Sequence, residues 1–344
     1  MQPAAIAAIV PVMEATVSLS AAWRTDPGLV RSHNEDFVAV FEPQSPDDLR
    51  HGNLYIVADG VGGADAGEVA SQFAGERTLH YFLESSSLEE LDNEDIGHLL
   101  IEAMQSANTD LRRLAADRDD SRRMATTMVA AAIKDGRAFI GNVGDSRAYR
   151  WRNGALVQVT RDQSLVARLV EEGALTPEEA LRYPYKNVIL YSLGSERRPP
   201  IDLYVETLEP GDLLLLCSDG LTRHVDDNEI ADILGRELPD AAVDTLVGLA
   251  RDRGGEDNIT VAVIQNGPRA IVQPAGTSTK PEDEDLTLTV AHPRPEVPVN
   301  ARPAAAPLTY EPAPRIWPLL LVLTAVMVIL IFLLWAFIQT TTAI

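Results

Sequence analysis

The sequence predicts an α+β fold in which antiparallel sheets are covered by helices. Three observations carry this. Apolar, strand-like segments follow one another through short turns, and the helical periodicities are grouped between them. Asn153-Gly154 separates two such segments, the mark of a two-residue hairpin. These patterns argue against a doubly wound parallel sheet, whose successive strands need crossover helices.

In chain order, strands are expected at 37–41, 54–58, 125–134, 138–143, 148–151, 156–159, 201–207, 212–217 and 258–265. One helix is expected from Ala66 to Leu83. In a second, Ile96, Leu100, Ala103, Ala107, Leu111 and Leu114 step by three and four along one face. Thr176-Pro177-Glu178-Glu179 supplies an N-cap, an N1 proline and a capping-box glutamate in order, so a helix begins there. No internal repeat is evident.

The chain has 344 residues, 46% of them apolar, enough for a sizeable core. A net charge of −22 repels nucleic acid and anionic headgroups and suits a protein that spends carboxylates on cations. One cysteine excludes an internal disulfide and fits a reducing compartment. The first residues lack a basic region and are interrupted by Glu14, unlike a signal peptide; Met13 is a candidate start, because the patterned sequence begins just after it.

Composition changes near residue 267. Residues 267–315 are Pro-rich and read as a disordered linker. Residues 316–338 carry no charge, have Trp317 and Trp335 near their ends, and are expected to form a transmembrane helix. Arg302 and Arg315 precede this span, which puts the large domain, residues 18–266, on the cytoplasmic side of the membrane as a single-pass protein.

The chemistry lies in where aspartates fall. Asp36 precedes "FVAVF", Asp59 follows "LYIVA", Asp145 follows "AFIGNVG", Asp219 follows "DLLLLCS" and Asp257 precedes "NITVAVI". A single strand-end aspartate is ordinarily a turn or cap residue. Five, each within two residues of Gly, Asn or Ser, can meet along one sheet edge, where unpaired carboxylates repel one another unless a divalent cation neutralises them. Oxygen ligands without an HxH or HxxxH pair favour Mg²⁺ or Mn²⁺ over Zn²⁺. Two such ions suit hydrolysis of phosphate esters. Arg31, just before Glu35-Asp36, is placed to hold two phosphate oxygens.

The segments "TDPGLVRSHNED", "LYIVADGVGGADAGEVAS", "ATTMVAAAI", "GNVGDSRAYRWRNG", "TRDQS", "LLLLCSDGL" and "GGEDNITVAVI" occur in an order and spacing that resemble the bacterial branch of the metal-dependent, type 2C protein serine/threonine phosphatases. The resemblance covers roughly residues 18–266. It implies an α-β-β-α sandwich of two antiparallel sheets flanked by helices. It further implies that Asp59 bridges two metals and that the Gly60 carbonyl binds the first. Asp219 and Asp257 would bind the second, with Glu35 and Asp36 acting through water. Asp145 and Asn187 would hold a third ion, Arg31 the phosphate, and residues 163–198 would form a mobile flap. The implied substrates are phosphoserine and phosphothreonine proteins, with a eukaryotic-like kinase as the opposing partner. The sequence departs from the pattern at Val61 and Ala64, where histidines occur in relatives, at Gln163, where histidine is usual, and in "ILYSLG", which lacks a preceding arginine.

Two alternatives remain. Cys217 and Arg223 have the Cys-x5-Arg spacing of a thiolate phosphatase, although Asp219 would set a negative charge in the anion's seat. A membrane-tethered pseudophosphatase that only binds phosphoproteins would have no need of the metal carboxylates.

Overall fold

The structure is a computed structural model and describes residues 19–43, 51–62, 65–85, 93–117 and 124–269. Among the described residues, eleven strands form two antiparallel sheets. The first takes β1 (Leu19–Asp26), β11 (Ile259–Asn266), β10 (Leu213–Cys217), β7 (Arg147–Arg152) and β8 (Ala155–Gln158), in that spatial order. The second takes β2 (Asp36–Phe41), β3 (Asn53–Val61), β5 (Met128–Lys134), β6 (Arg137–Val143) and β9 (Asp202–Thr207), with β4 (Ala125–Thr126) also paired to β3. The helices are α1 (Asp65–Glu84), α2 (Asn93–Asp117), α3 (Leu165–Glu171), α4 (Pro177–Ala180), α5 (Asp219–Thr222), α6 (Asp227–Arg236) and α7 (Pro239–Asp252).

The period of two along the strands explains the four layers. In β3, Tyr55 and Val57 face the other sheet, while Leu54, Ile56 and Ala58 face the helices. In β10, Leu214 and Leu216 face inward, while Leu213, Leu215 and Cys217 pack outward against Leu221, Ile230, Leu234, Val243 and Leu246. Strands buried on both faces read as continuous apolar runs, and "LLLLC" is one. On the other side, α2 sets Ile96, Leu100, Ala103, Met104 and Leu111 against the second sheet. The result is the α-β-β-α sandwich.

Most expected elements are present, with four corrections. The segment expected as one strand from Ala125 to Lys134 is two, parted at Thr127. β1 was not anticipated: it is an edge strand with Ala22 as its one buried residue, so its apolar signal is weak. Helices α3, α5, α6 and α7 also lie outside the expected set. The helix begun at Thr176 has its capping box but runs only four residues.

Asn153 and Gly154 close the β7–β8 hairpin with φ of 50° and 88°, the left-handed conformations that such a turn needs. Among the described residues no helix is long and apolar enough to cross a membrane. The span expected at 316–338, and the linker beyond residue 269, lie outside the described residues.

Candidate active site

Sheet register brings the aspartates together. Asp36 opens β2 directly opposite Asp59 of β3. Asp59 lies within β3, two residues before its end, rather than after the strand. Asp145 follows β6, Asp219 begins α5 after β10, and Asp257 precedes β11. All five thus sit at one end of the sandwich. Like charges opposite one another in an antiparallel pair are unfavourable, so this placement works against folding unless something compensates.

The backbone around Asp59 is held by neighbouring threonines. Thr126 Oγ1 donates to the Asp59 carbonyl at 2.8 Å, and Thr127 N donates to the same carbonyl at 2.9 Å. Thr127 Oγ1 accepts from Asp59 N at 3.3 Å. The break between β4 and β5 at Thr127 is therefore part of the site's framework. Gly60 donates its amide to the Glu35 carbonyl at 3.0 Å, and an added Cβ would collide with the Gly67 carbonyl. Only glycine permits this approach of β3, α1 and the Glu35 loop.

The two sheets are tied at this end by buried polar contacts. Ser218 Oγ donates to Asp36 Oδ2 at 2.8 Å and accepts from Thr260 N at 2.9 Å. Asn258 accepts from Glu35 N at 2.8 Å and donates to the carbonyls of Pro27 at 3.0 Å and His33 at 2.9 Å. Sequence reasoning missed Ser218, Asn258 and Thr260. Their only sequence signal was adjacency to the acidic positions.

Burial, then mutual repulsion, sets the electrostatics. Asp36 is pushed up to about 7 by burial, with hydrogen bonds from Thr260 and Ser218 opposing and Asp219 and Asp257 adding. Asp145 rises to about 7 by burial and the nearby Asp219. Burial and the surrounding aspartates raise Asp59 well above the ordinary carboxylate range. Asp219 is raised by burial although Arg223 pulls it down, and Glu35 is raised by burial against the pull of Arg31.

Buried oxygens at Asp36 (Oδ1), Asp145 (Oδ1) and Asp219 (Oδ1) have no hydrogen-bond partner. Orphaned anionic oxygens with no soft ligand among them suit a hard divalent cation. Among the described residues no three acidic, histidine or cysteine side chains close into a tight metal cage. Guanidiniums lie against the acids instead. Arg223, which the sequence offered only as the arginine of the Cys-x5-Arg spacing, pairs with Asp219 and with Asp257 Oδ2 at 3.1 Å. Arg31 Nη2 contacts both Asp257 oxygens, at 2.9 and 3.0 Å, and Arg31 Nη1 stands 4.0 Å from Glu35. Arg31 keeps 46% of its side chain exposed, so an incoming anion can reach it.

A cleft of about 650 Å³ joins this centre to the 163–198 segment, with Asp145, Asp219, Arg223, Lys186 and Asn187 among its lining residues. Asn187 therefore shares a cleft with Asp145, and neither Asp36 nor Asp59 lines it. Gln163, in the position where histidine is usual, is well anchored: its Oε1 accepts from Gly144 N at 3.0 Å and its Nε2 donates to Asp202 at 2.9 Å. Val61 is exposed at the end of β3, and Ala64 lies outside the described residues.

Cys217 is fully buried in β10, and burial pushes its thiol up to about 12. It supplies no thiolate at neutral pH, and its partner in the proposed motif, Arg223, is held by aspartates. The thiolate alternative fails on both counts.

A model of the protein phosphatase 2C family matches residues 32–246. The serine/threonine phosphatase stp of Listeria welshimeri is 40% identical over 249 residues, 72% of this chain and 96% of that protein. The solved S. agalactiae serine/threonine phosphatase is similar at a TM-score of 0.66 and 35% identity, covering 72% of this chain and 100% of its own. The catalytic domain of the phosphatase PstP, solved with two manganese ions, gives 0.61 and 34%, covering 74% and 100%. By fold, by the order of its acidic positions and by these likenesses, the chain belongs to the protein phosphatase 2C family and is a serine/threonine protein phosphatase.

Proposed function

We propose that this phosphatase carries its Mn²⁺ or Mg²⁺ ions on the strand-end carboxylates, with Asp59 shared by two ions and the Gly60 carbonyl beside it. Asp219 and Asp257 complete the second position, and Glu35 and Asp36 act through water. The observation that carries this is the set of orphaned oxygens on Asp36, Asp145 and Asp219 in a buried, mutually repelling group. When bound, such ions furnish a nucleophilic water at neutral pH and neutralise charge on the phosphoryl oxygens.

Arg31 binds and orients the substrate phosphate through its guanidinium fork. The shift of Arg31 from Asp257 to phosphate exchanges one anionic partner for another at an exposed position. Asp145 and Asn187 offer a third cation position facing the cleft. Val61 supplies no proton to the leaving group at the place where relatives have histidine.

Beyond the domain, the uncharged segment 316–338 anchors the protein as a single-pass tail in a bacterial inner membrane, with the domain cytoplasmic; the arginines at 302 and 315 support that orientation. A Ser/Thr kinase and its phosphorylated targets are the partners. No observation favours the pseudophosphatase. Turnover of a phosphothreonine peptide with Mn²⁺, abolished by EDTA, is the expected result, and no turnover with Mn²⁺ present would favour a pure binder. A reporter fused after Ile344 is expected outside the cytoplasm; a cytoplasmic reporter contradicts the span or its orientation.

A further inference from the structure

The net charge of −22 sets a difficulty for the reaction. A phosphorylated segment is anionic, and it must settle against a centre built of aspartates. Only a local patch of opposite sign can steer and hold it.

One cleft has that character. It measures about 510 Å³ and is lined by Gln105, Ser106, Thr109 and Arg112 of α2, with Arg197 and Arg198 from the end of the 163–198 segment. Three guanidiniums and three neutral hydrogen-bonding side chains line it, and no carboxylate does. The nearest acid along α2, Asp110, is occupied by Arg77 at 2.5 Å and Arg113 at 3.1 Å.

The cleft is braced from below. Arg112 Nη1 donates to the carbonyls of Gly194 at 3.2 Å and Ser195 at 3.1 Å. Asn108 donates to the Glu196 and Arg197 carbonyls, both at 3.2 Å, and accepts from Gly194 N at 2.8 Å. Gln105 donates to Pro199 O at 2.9 Å. These bonds fix the backbone of 194–199 on α2 while the side chains of Arg197 and Arg198 stay exposed. Among the described residues, neither meets a carboxylate. The braced segment also touches the catalytic framework: Leu193 exchanges backbone hydrogen bonds with Thr126 at 2.8 and 3.0 Å, and Thr126 holds the Asp59 carbonyl.

We propose that this cleft is an anion-docking subsite for the protein substrate, receiving a second phosphate carried by another phosphoresidue of the same segment. Paired guanidinium forks match phosphate oxygens better than they match any neutral side chain. The proposal rests on the phosphatase reading, and it makes the enzyme prefer multiply phosphorylated segments.

The test is the full-length R197A/R198A double variant, both positions being exposed and outside the catalytic centre. With Mn²⁺, turnover of p-nitrophenyl phosphate is expected to match that of the unsubstituted chain in both kcat and KM. KM for a doubly phosphorylated peptide is expected to rise about tenfold, to the value for its singly phosphorylated form. A KM that stays put, or an equal rise for both peptides, overturns the proposal. Anisotropy of the labelled doubly phosphorylated peptide in EDTA reads the cleft without turnover. Equal binding by the two proteins overturns the proposal even if both are active. A binding difference without any turnover overturns the phosphatase reading and leaves the subsite standing. Inorganic phosphate and a soluble short-chain phosphatidylserine serve as competitors. Displacement by the lipid at lower concentration than by the unlabelled peptide assigns the cleft to a lipid surface and overturns the proposal.

Discussion

Strand β10 has an aspartate with a buried oxygen beyond each end, and the two are treated differently. Before the strand, Asp212 is nearly inaccessible and fully compensated: Arg152 grips it through two nitrogens at 2.8 and 2.6 Å, and Glu209 N donates to it at 2.7 Å. After the strand, Asp219 shares one oxygen with Arg223, leaves the other bare, and stands among Asp36, Asp59, Asp145 and Asp257. Burial with compensation is a structural device. Burial without it, repeated over several neighbours, is what a cation site looks like before the cation is counted.

The sharpest way to break this contrast is to neutralise one of the uncompensated acids and, separately, to remove the partner of the compensated one. Asp59→Asn is expected to lower kcat on a phosphothreonine peptide by about 10³-fold. In EDTA its midpoint of thermal unfolding should equal or exceed that of the unsubstituted protein, because the change removes a poorly tolerated buried charge. A lower midpoint would mean that Asp59 is structural. Arg152→Ala should do the reverse. It strands the buried Asp212 charge and is expected to cost about 3 kcal/mol of stability, read by urea unfolding. Its kcat per folded molecule with Mn²⁺ should be unchanged.

The sequence disclosed the acidic end better than the compensated one, for a physical reason. Apolar runs such as "LYIVA" and "LLLLC" mark buried strands by composition alone, and an aspartate abutting such a run stands out. What joins the runs does not stand out. The order β1-β11-β10-β7-β8 brings together segments far apart in the chain, so the bonds of Ser218 to Asp36 and of Asn258 to the Glu35 loop were invisible. Arg223 was misjudged because its spacing to Cys217 drew attention from its i,i+4 relation to Asp219. Asp226 with Glu229, and Pro239, do carry start signals for α6 and α7, and a stricter reading of caps would have found both helices. β1 had no comparable signal, since one face of an edge strand is left to polar residues.

Proton linkage gives a milder test of the same contrast. In the metal-free protein Asp36 and Asp145 titrate near 7 when folded, well above the ordinary value near 3.8. Between those values the folded state holds more protons than the unfolded one. Stability is therefore fully present below about pH 4 as far as these groups are concerned, and it is lost as pH rises through 7. In EDTA the midpoint of thermal unfolding is expected to fall from pH 5 to pH 8, and saturating Mn²⁺ should flatten or reverse that slope. A metal-free protein that gains stability over this range would show that the acids are compensated after all.

The smallest expected effect lies between the two aspartates, at Cys217. The residue faces Val261 and Arg147 across the sheet and packs in the outer core with Leu213 and Leu215. Cys217→Ala removes one buried sulfur and should lower stability by about 1 kcal/mol, measurable by urea unfolding, with kcat and EDTA sensitivity unchanged. Loss of turnover without loss of stability would restore the thiolate route and remove the reason for regarding Asp219, rather than its neighbour two residues earlier, as the functional end of β10.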